Sequence, residues 1–579
     1  MKKYLFIALA ALGFAACTET IDAPNGPIQG GELEESYIAI NLMAADNDTR
    51  AANDTYGYED GTDAERAVKT AYFFFFDENG NPFNVTGAPA TAPDYAQNGK
   101  NYLSLNIKPM ATENENVNIS DISNAVLVLK TYKGIYPKQI VAVINWAPEN
   151  KAYSLAELHS ELATLGNDAN GYVMSNSVYM DGAKKMVDAV PLTADNIKTS
   201  EAEAIAAPVN IYVERIAAKV VLTASGKVNG TTNIFDTDKN SSAVGTLTSL
   251  NDIDVYVQLH GWELYNDYAT SNLLKNIDTT WDVTALGLTW NDIPYFRCYW
   301  AMSQTTDPED SFSWEYNDDV KTAKGFQTAY GFGIADADDE YATRSTYTYC
   351  GENTKGEALR TKVILKGQLM QKNGENNYKP LELANWYGNE YAGEEALRTA
   401  VANSLKYILY YYDTASGEYV SIAPADLVCV AGAKVGAKAY EVGFQLSNGG
   451  AAKTWYQYSS AEGYDMLGDT GVDGDNAEQT NTYLKSVEPA LLYDEGQTYY
   501  IVDIKHLGAA GKTAEYGVVR NHVYQIDIKS ITGYGTPVYI GNSDLKDPEY
   551  PTVDEASYVS AKINVLSWKV VKQGVDIVQ

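Results

Sequence analysis

Period-two alternation of apolar and polar residues recurs along this chain far more often than helical spacing, and that restricts the architectures open to it. Runs rich in β-branched and aromatic side chains occupy residues 72–76, 125–130, 139–145, 209–223, 253–264, 362–369, 407–412, 441–446, 498–504 and 518–531. Loops and turn residues separate them. Only two stretches carry a helical pattern. In 154–165, Ser154 and Glu157 form a capping box, and Leu155, Leu158, Leu162 and Leu165 share one face. Residues 394–405 read as a second, shorter helix. Many strands with two helices predict an all-β protein made of sandwiches. A length of 579 residues allows two to four domains, each large enough for its own core.

The cleanest alternation lies near the two ends. In 557–571, Val559, Ala561, Ile563 and Val565 fall at every second position, behind a Pro- and Gly-punctuated connection over 532–556. A strand on such a tether either closes the sheet of its own domain or leaves to complete another molecule. Both readings stand at this level. In 36–43, Ile38, Ile40 and Leu42 alternate in the same way. Beyond them comes a polar loop whose Arg50 is the sole basic residue between Lys3 and Arg66. A lone Arg in an Asp/Asn/Ala-rich loop is either a solvated side chain or a cleavage point for an Arg-specific protease.

Residues 1–17 have the form of an export signal, with Lys2 and Lys3, an apolar core over 5–14 too short to span a bilayer, and small residues before Cys17. Ala15-Ala16-Cys17 resembles the lipobox of bacterial lipoproteins, in which the Cys is acylated. Phe14 stands where Leu is usual. Acyl chains on Cys17 would hold the protein at a membrane surface without a spanning helix.

The net charge is −33; without the first 50 residues it is −29, from 40 basic and 69 acidic groups. That field repels nucleic acid and anionic lipid. Tyr is abundant, at 45 residues against 13 Phe, which suits strands with amphipathic exposed faces. Cys17, Cys298, Cys350 and Cys429 make no CxxC pair, so buried free thiols are expected beyond Cys17. The scattered His159, His260, His506 and His522 predict no metal site, and no cofactor is expected. No Ser/His/Asp motif, HExxH, Walker loop or dinucleotide fingerprint occurs. Acidic clusters such as Asp336–Glu340 and Asp473–Asp475 read as solvated loops, and no catalytic residue is expected. Trp281, Trp290, Trp300, Trp314 and Trp386 either pack a second sandwich or line a sugar platform.

The lipobox, ERAVKTAYFFFFDENG, NIYVERIAAKVV, GVVRNHVYQIDIKSI and the closing INVLSWKV together resemble the Bacteroidales fimbrillins, the subunits of type V pili, and among them the major subunit of the short fimbria. The resemblance runs through the chain in order, is best in the first 220 residues and the last 80, and is loose over 265–490. It implies two tandem transthyretin-like β-sandwich domains with short helices in loops and a C-terminal donor strand. The chain then divides into a lipoprotein signal (1–17), a propeptide with a removable first strand (18–50), an N-terminal domain (51–224), a C-terminal domain (225–536), and a linker with the donor strand (537–579). Lipidation falls on Cys17 and cleavage between Arg50 and Ala51. Ile38, Ile40 and Leu42 belong to the removed strand, and Val559, Ala561, Ile563 and Val565 to the donor. The implied partners are further copies in a head-to-tail filament, fimbrial anchor and tip accessory subunits, a processing protease, and the outer membrane through lipid before cleavage. The implied role is a non-enzymatic surface fimbria supporting adhesion and biofilm formation. The rival readings are a glycan-binding surface lipoprotein and a tip or anchor accessory subunit.

Overall fold

The structure, a computed structural model, describes residues 33–44, 58–59, 61–85, 100–106, 124–180, 186–223, 227–228, 232–233, 245–247, 253–277, 296–297, 301–308, 315–316, 323–324, 345–373, 378–432, 440–468, 476–506, 515–539 and 558–568. Its N-terminal part consists of β1 (Leu33–Ala44), α1 (Asp63–Arg66), β2 (Thr70–Phe76), β3 (Tyr102–Asn106), β4 (Asn124–Tyr132), β5 (Gln139–Ile144), α2 (Leu155–Ser160), β6 (Met174–Asn176) and β7 (Val209–Arg215). These strands make one sheet in the order β3-β2-β5-β6-β7-β1-β4, with Val190–Pro191 added on β5. Leu103 of β3 and Leu127 of β4, from opposite ends of that order, pack into one cluster, so the sheet closes over its own core.

The four consecutive Phe of β2 follow from burial on both faces. Phe73 and Phe75 enter the core inside the sheet, while Phe74 and Phe76 enter a second cluster outside it. Ile140, Ala142 and Ile144 of β5 face inward, and Val141 and Val143 outward. A strand covered on both faces loses its polar alternation and reads as a continuous apolar run. The outer cluster also contains Leu273, Leu274 and Val523, so the second face of the N-terminal sheet is covered by the C-terminal part of the chain.

The helix expected over 154–165 is shorter. The capping box of Ser154 and Glu157 forms, but the helix stops at Ser160. Leu162–Thr164 then pairs as a strand with Thr270–Asn272. Leu158 and Leu165 are buried and Leu162 is exposed, so tertiary pairing overrides the helical spacing.

After β7 the chain crosses through buried Ile216 and Ala217 into β8 (Ala218–Thr223). A division at 224/225 would leave β8 with the N-terminal domain. It instead pairs parallel to the strand His522–Thr532 and antiparallel to the strand Ser345–Cys350 in the next sheet, so the passage between sheets lies at 216–217. Next come β9 (Ile253–Tyr265), β10 (Ser345–Cys350) and β11 (Lys362–Lys372). The stretch that follows holds β12 (Leu383–Trp386), α3 (Gly393–Leu405), β13 (Leu409–Asp413), β14 (Glu418–Ser421), β15 (Leu427–Ala431) and β16 (Glu441–Leu446). It continues with β17 (Trp455–Ser459), β18 (Gly463–Met466), α4 (Asn476–Leu484) and β19 (Ala490–Tyr493). The described chain ends with β20 (Gln497–Asp503), β21 (His522–Thr532) and β22 (Tyr558–Trp568).

The C-terminal sandwich pairs two sheets. One runs Tyr58–Glu59, β22, β21, β8, β10; the other runs Gly245–Leu247, β9, β11, β20, Thr536–Pro537. Val220, Leu222, Tyr524 and Ile526 from the first meet Val257, Trp262, Leu365 and Val502 from the second in one core. β11 and β20 are direct antiparallel neighbours, from Lys362 opposite Asp503 to Gln368 opposite Gln497. Everything between them is therefore an insertion into one strand-to-strand connection. The insertion has a separate core, in which Leu397, Val401, Phe444, Trp455 and Leu492 are buried. Its exit needs Gly496, where φ is +78° and a Cβ would lie 2.5 Å from the Leu369 carbonyl oxygen.

Candidate strand-exchange site

β1 occupies an interior place in its sheet. Residues Leu33 to Asn41 pair antiparallel with Tyr132 to Asn124 of β4, and Ile40 to Ala44 pair parallel with Val209 to Val213 of β7. Ser36, Ile38, Ile40 and Leu42 form its inner row and are all buried. Ile38 sits opposite Leu127, Ile40 beside Val209, and Leu42 beside Ile211. Three large aliphatic side chains contribute about 5–9 kcal/mol of burial energy here. Ser36 fits less well: its buried hydroxyl has no hydrogen-bond partner among the described residues. The outer row is tied by backbone bonds between Tyr37 and Lys198, at 2.8 and 2.9 Å. Glu34 accepts from the Tyr136 hydroxyl at 2.8 Å. Taking β1 away would open a slot between β4 and β7, walled by Leu127, Leu129, Val209, Ile211 and Val213.

β22 sits in the sheet of its own domain, the first of the two alternatives its sequence allows. It pairs antiparallel with β21, placing Val559 opposite Ile531, Ala561 opposite Ile528, Ile563 opposite Ile526 and Val565 opposite Tyr524. All four partners are buried. The ladder has an irregularity between Ile528 and Ser530. On its other side, among the described residues, β22 pairs only with Tyr58 and Glu59, in parallel, through Ser567 and Trp568. Among the described residues it is nearly an edge strand, and an edge presents unpaired backbone groups.

The chain between these two regions is pinned at the domain junction. Thr62 caps α1, and Glu65 of that helix is fully buried. Its carboxylate takes a hydrogen bond from Lys219 Nζ at 2.8 Å, another from the Tyr349 hydroxyl, and one from the Thr62 backbone N–H at 2.6 Å. Burial alone would raise the Glu65 pKa; these donors outweigh it and hold the pKa below the ordinary value. Burial, together with the Glu65 carboxylate, pushes the Tyr349 phenol far up. Arg215 Nε donates to the Glu65 carbonyl at 2.6 Å. Asn145, in a left-handed conformation, donates to the Ala67 and Tyr172 carbonyls and accepts from the Lys69 N–H. A second buried pair, Lys275 with Glu214 at 2.7 Å, and a third, Arg520 with Glu352 at 3.3 Å, lie in the same region. Arg520 also holds the Asn272 carbonyl at 2.6 Å.

The sequence-derived sites divide accordingly. Ile38, Ile40 and Leu42 come together in one buried row. Val559, Ala561, Ile563 and Val565 are placed by backbone register alone. Cys17, Arg50 and Ala51 lie outside the described residues, as do Trp281, Trp290, Trp300 and Trp314. Trp386 is buried, and its indole N–H donates to the Glu488 carbonyl at 2.9 Å, a packing role. Cys350 and Cys429 are free and buried. Among the described residues no group of three or more His, Cys, Asp or Glu side chains is placed to hold a metal ion, and no helix is long and apolar enough to cross a membrane. The junction was missed in advance. Its visible signal is Glu214-Arg215 standing inside an otherwise apolar run.

Residues 491–574 match the family model described as major fimbrial subunit protein type IV, fimbrillin, C-terminal. The resemblance to fimbrillins is thus borne out over the stretch that contains β20, β21 and β22. Several solved structures align along most of the chain at low identity. A fimbrilin from Porphyromonas gingivalis is 12% identical, with 93% of this chain and 98% of that one covered and a TM-score of 0.37. The tip fimbrial protein from Porphyromonas gingivalis with C-terminal truncation is 11% identical, covering 92% and 100%, at 0.31. A fimbrial assembly protein from Parabacteroides distasonis is 12% identical, covering 60% and 86%, at 0.26. No curated protein sequence matches the chain.

Proposed function

We propose that this chain is a shaft subunit of a cell-surface fimbria, assembled by strand exchange. It is exported as a lipoprotein through Cys17 and held at the outer membrane. It is then cut between Arg50 and Ala51, which frees β1. The C-terminal strand of the next copy enters the slot between β4 and β7. Anchor and tip subunits close the two ends, and the filament supports adhesion and biofilm formation.

The observation that carries this reading is the interior position of β1. An edge strand could leave without exposing a receptor, whereas β1 leaves a slot with unpaired backbone on both sides and an apolar floor. The donor offers four apolar positions at period two where β1 offers three and a serine. While β1 is covalently attached it competes locally and wins; once cut, it dissociates. The cut falls at Arg50 rather than Arg66, because the 66–67 bond is held in structure. Arg66 N–H bonds to the Thr62 carbonyl, and the Ala67 carbonyl accepts from Asn145 at 2.7 Å. A protease needs an extended segment that can leave the fold.

The decisive test is Arg50→Ala, compared with wild type by N-terminal sequencing of sheared surface protein and by an unboiled gel. Wild type is expected to begin at Ala51 and form a multimer ladder; the variant is expected to be exported and remain monomeric. Wild-type levels of polymer from the variant would sink the proposal.

A further inference from the structure

The inserted module carries a four-stranded sheet, β14-β13-β17-β18, with two unlike faces. Leu409, Tyr411 and Trp455 pack toward the module core. Tyr410, Tyr412, Tyr419, Tyr456, Tyr458 and Tyr464 occupy the alternate positions. Tyr412 stands opposite Tyr419, Tyr410 opposite Tyr456, and Tyr458 opposite Tyr464. Their rings touch in one continuous group: Tyr419 stacks on Tyr464 at 3.8 Å, and Tyr410 meets both Tyr458 and Tyr464 edge to face. Tyr412, Tyr419, Tyr458 and Tyr464 each keep 37–44% of their surface in solvent. Aromatic side chains gathered this densely on an exterior face are not explained by the core beneath them.

The strands that carry this face hold acidic but no basic side chains, and Lys406 at their margin already lies 5.0 Å from the Tyr407 ring centre. Residues 407–432 and 454–484 contain no Lys or Arg. Glu462 lies in the turn before Tyr464, while Asp413, Glu418 and Asp465 alternate with the outer tyrosines along the same strands. Lys453, just outside, is already engaged: it lies 3.8 Å from the Tyr411 ring centre and pairs with Asp426 at 2.6 Å. The outer rings thus have negative faces and no internal cation from these strands, on a chain whose net charge is −33. Aromatic faces attract guanidinium and ammonium groups, and carboxylates add to that attraction. A neutral sugar gains nothing from the unbalanced charge.

We infer that the tyrosine face of β14-β13-β17-β18 is a docking surface for a Lys- or Arg-bearing segment of a partner protein. This goes beyond the strand-exchange reading and uses none of its residues.

The probe is a labelled nona-arginine peptide, titrated by fluorescence anisotropy against the full-length, uncleaved chain, so that the result is independent of polymer assembly. Saturable binding is expected. The charge-neutral double substitution Tyr419→Leu/Tyr464→Leu is expected to weaken it roughly five- to thirtyfold, the loss of two exposed cation–π contacts. Tyr387→Leu, which removes an exposed ring elsewhere in the module, should leave it unchanged. Circular dichroism checks the fold. If the double variant does not fold, Tyr412→Leu alone should weaken binding about twofold. Equal affinity in wild type and the tyrosine variants would mean that net charge alone holds the peptide, and would overturn the inference. So would binding of a neutral oligosaccharide that the same substitutions abolish while the peptide is unaffected.

Discussion

β1 and β22 are 12 and 11 residues long and share a pairing scheme: each has a long antiparallel neighbour on one side and a shorter parallel one on the other. The fold holds them in opposite ways. β1 is paired along both edges, with a buried row locked between β4 and β7. Among the described residues β22 is paired along one edge and pairs with two residues on the other. A strand of the first kind is costly to lose and leaves a receptor behind. A strand of the second kind is cheap to release and carries its own row of apolar positions away with it. Exchange needs one of each, and it needs the two to be alike enough in length and direction to substitute.

The sharpest way to break this comparison is to delete each strand in turn. Removing residues 33–44 from the precursor is expected to unfold or aggregate the N-terminal sheet, whereas removing 558–579 should leave a folded monomer that cannot polymerise. Thermal unfolding with size-exclusion chromatography distinguishes them; an unfolded C-terminal truncation would make β22 an integral strand. Next in size is the junction between them. Glu65→Gln leaves Lys219 buried without its counter-charge and is expected to cost about 3–5 kcal/mol in urea unfolding. Because the folded Glu65 pKa is lowered, its stabilisation is complete above the ordinary carboxyl value of 4.5 and is lost as pH falls through the lower folded value. The wild-type melting temperature should therefore drop on acidification by more than that of Glu65→Gln. Core truncation comes third. Ile40→Ala should destabilise the uncleaved monomer by about 2–4 kcal/mol, while Ile563→Ala should cost the monomer less and the polymer more, read from multimer-ladder heat resistance. The smallest effect is a gain. Ser36→Val removes a buried hydroxyl without a partner and should stabilise the precursor by about 1–2 kcal/mol, slowing exchange after cleavage.

Much of this arrangement was legible beforehand because period-two patterning reports one-sided burial directly. Ile38, Ile40 and Leu42 were readable as one row, and they are one row. The Phe run of β2 was readable as a buried strand, but that its two faces serve different cores depends on the second domain lying against it. The truncated α2 was misread because Leu162 and Leu165 continue a helical spacing that Thr270–Asn272 interrupts through backbone pairing. The junction pairs could not be read from spacing, since Glu65, Lys219 and Tyr349 are far apart in the chain. The inserted module was invisible as an insertion, because β11 and β20 become neighbours only in three dimensions.

That insertion has a consequence for how such a surface can change over time. The connection from β11 to β20 is closed at its base by their own pairing, and the module between them buries its own core. Substitutions there are therefore insulated from the slot, while the segment leading to the tail strand still meets the module where the Tyr539 hydroxyl donates to the Cys429 carbonyl at 2.9 Å. In a head-to-tail polymer the module would recur once per subunit at a fixed repeat. A contact too weak to matter singly would then be multiplied by effective concentration along the filament.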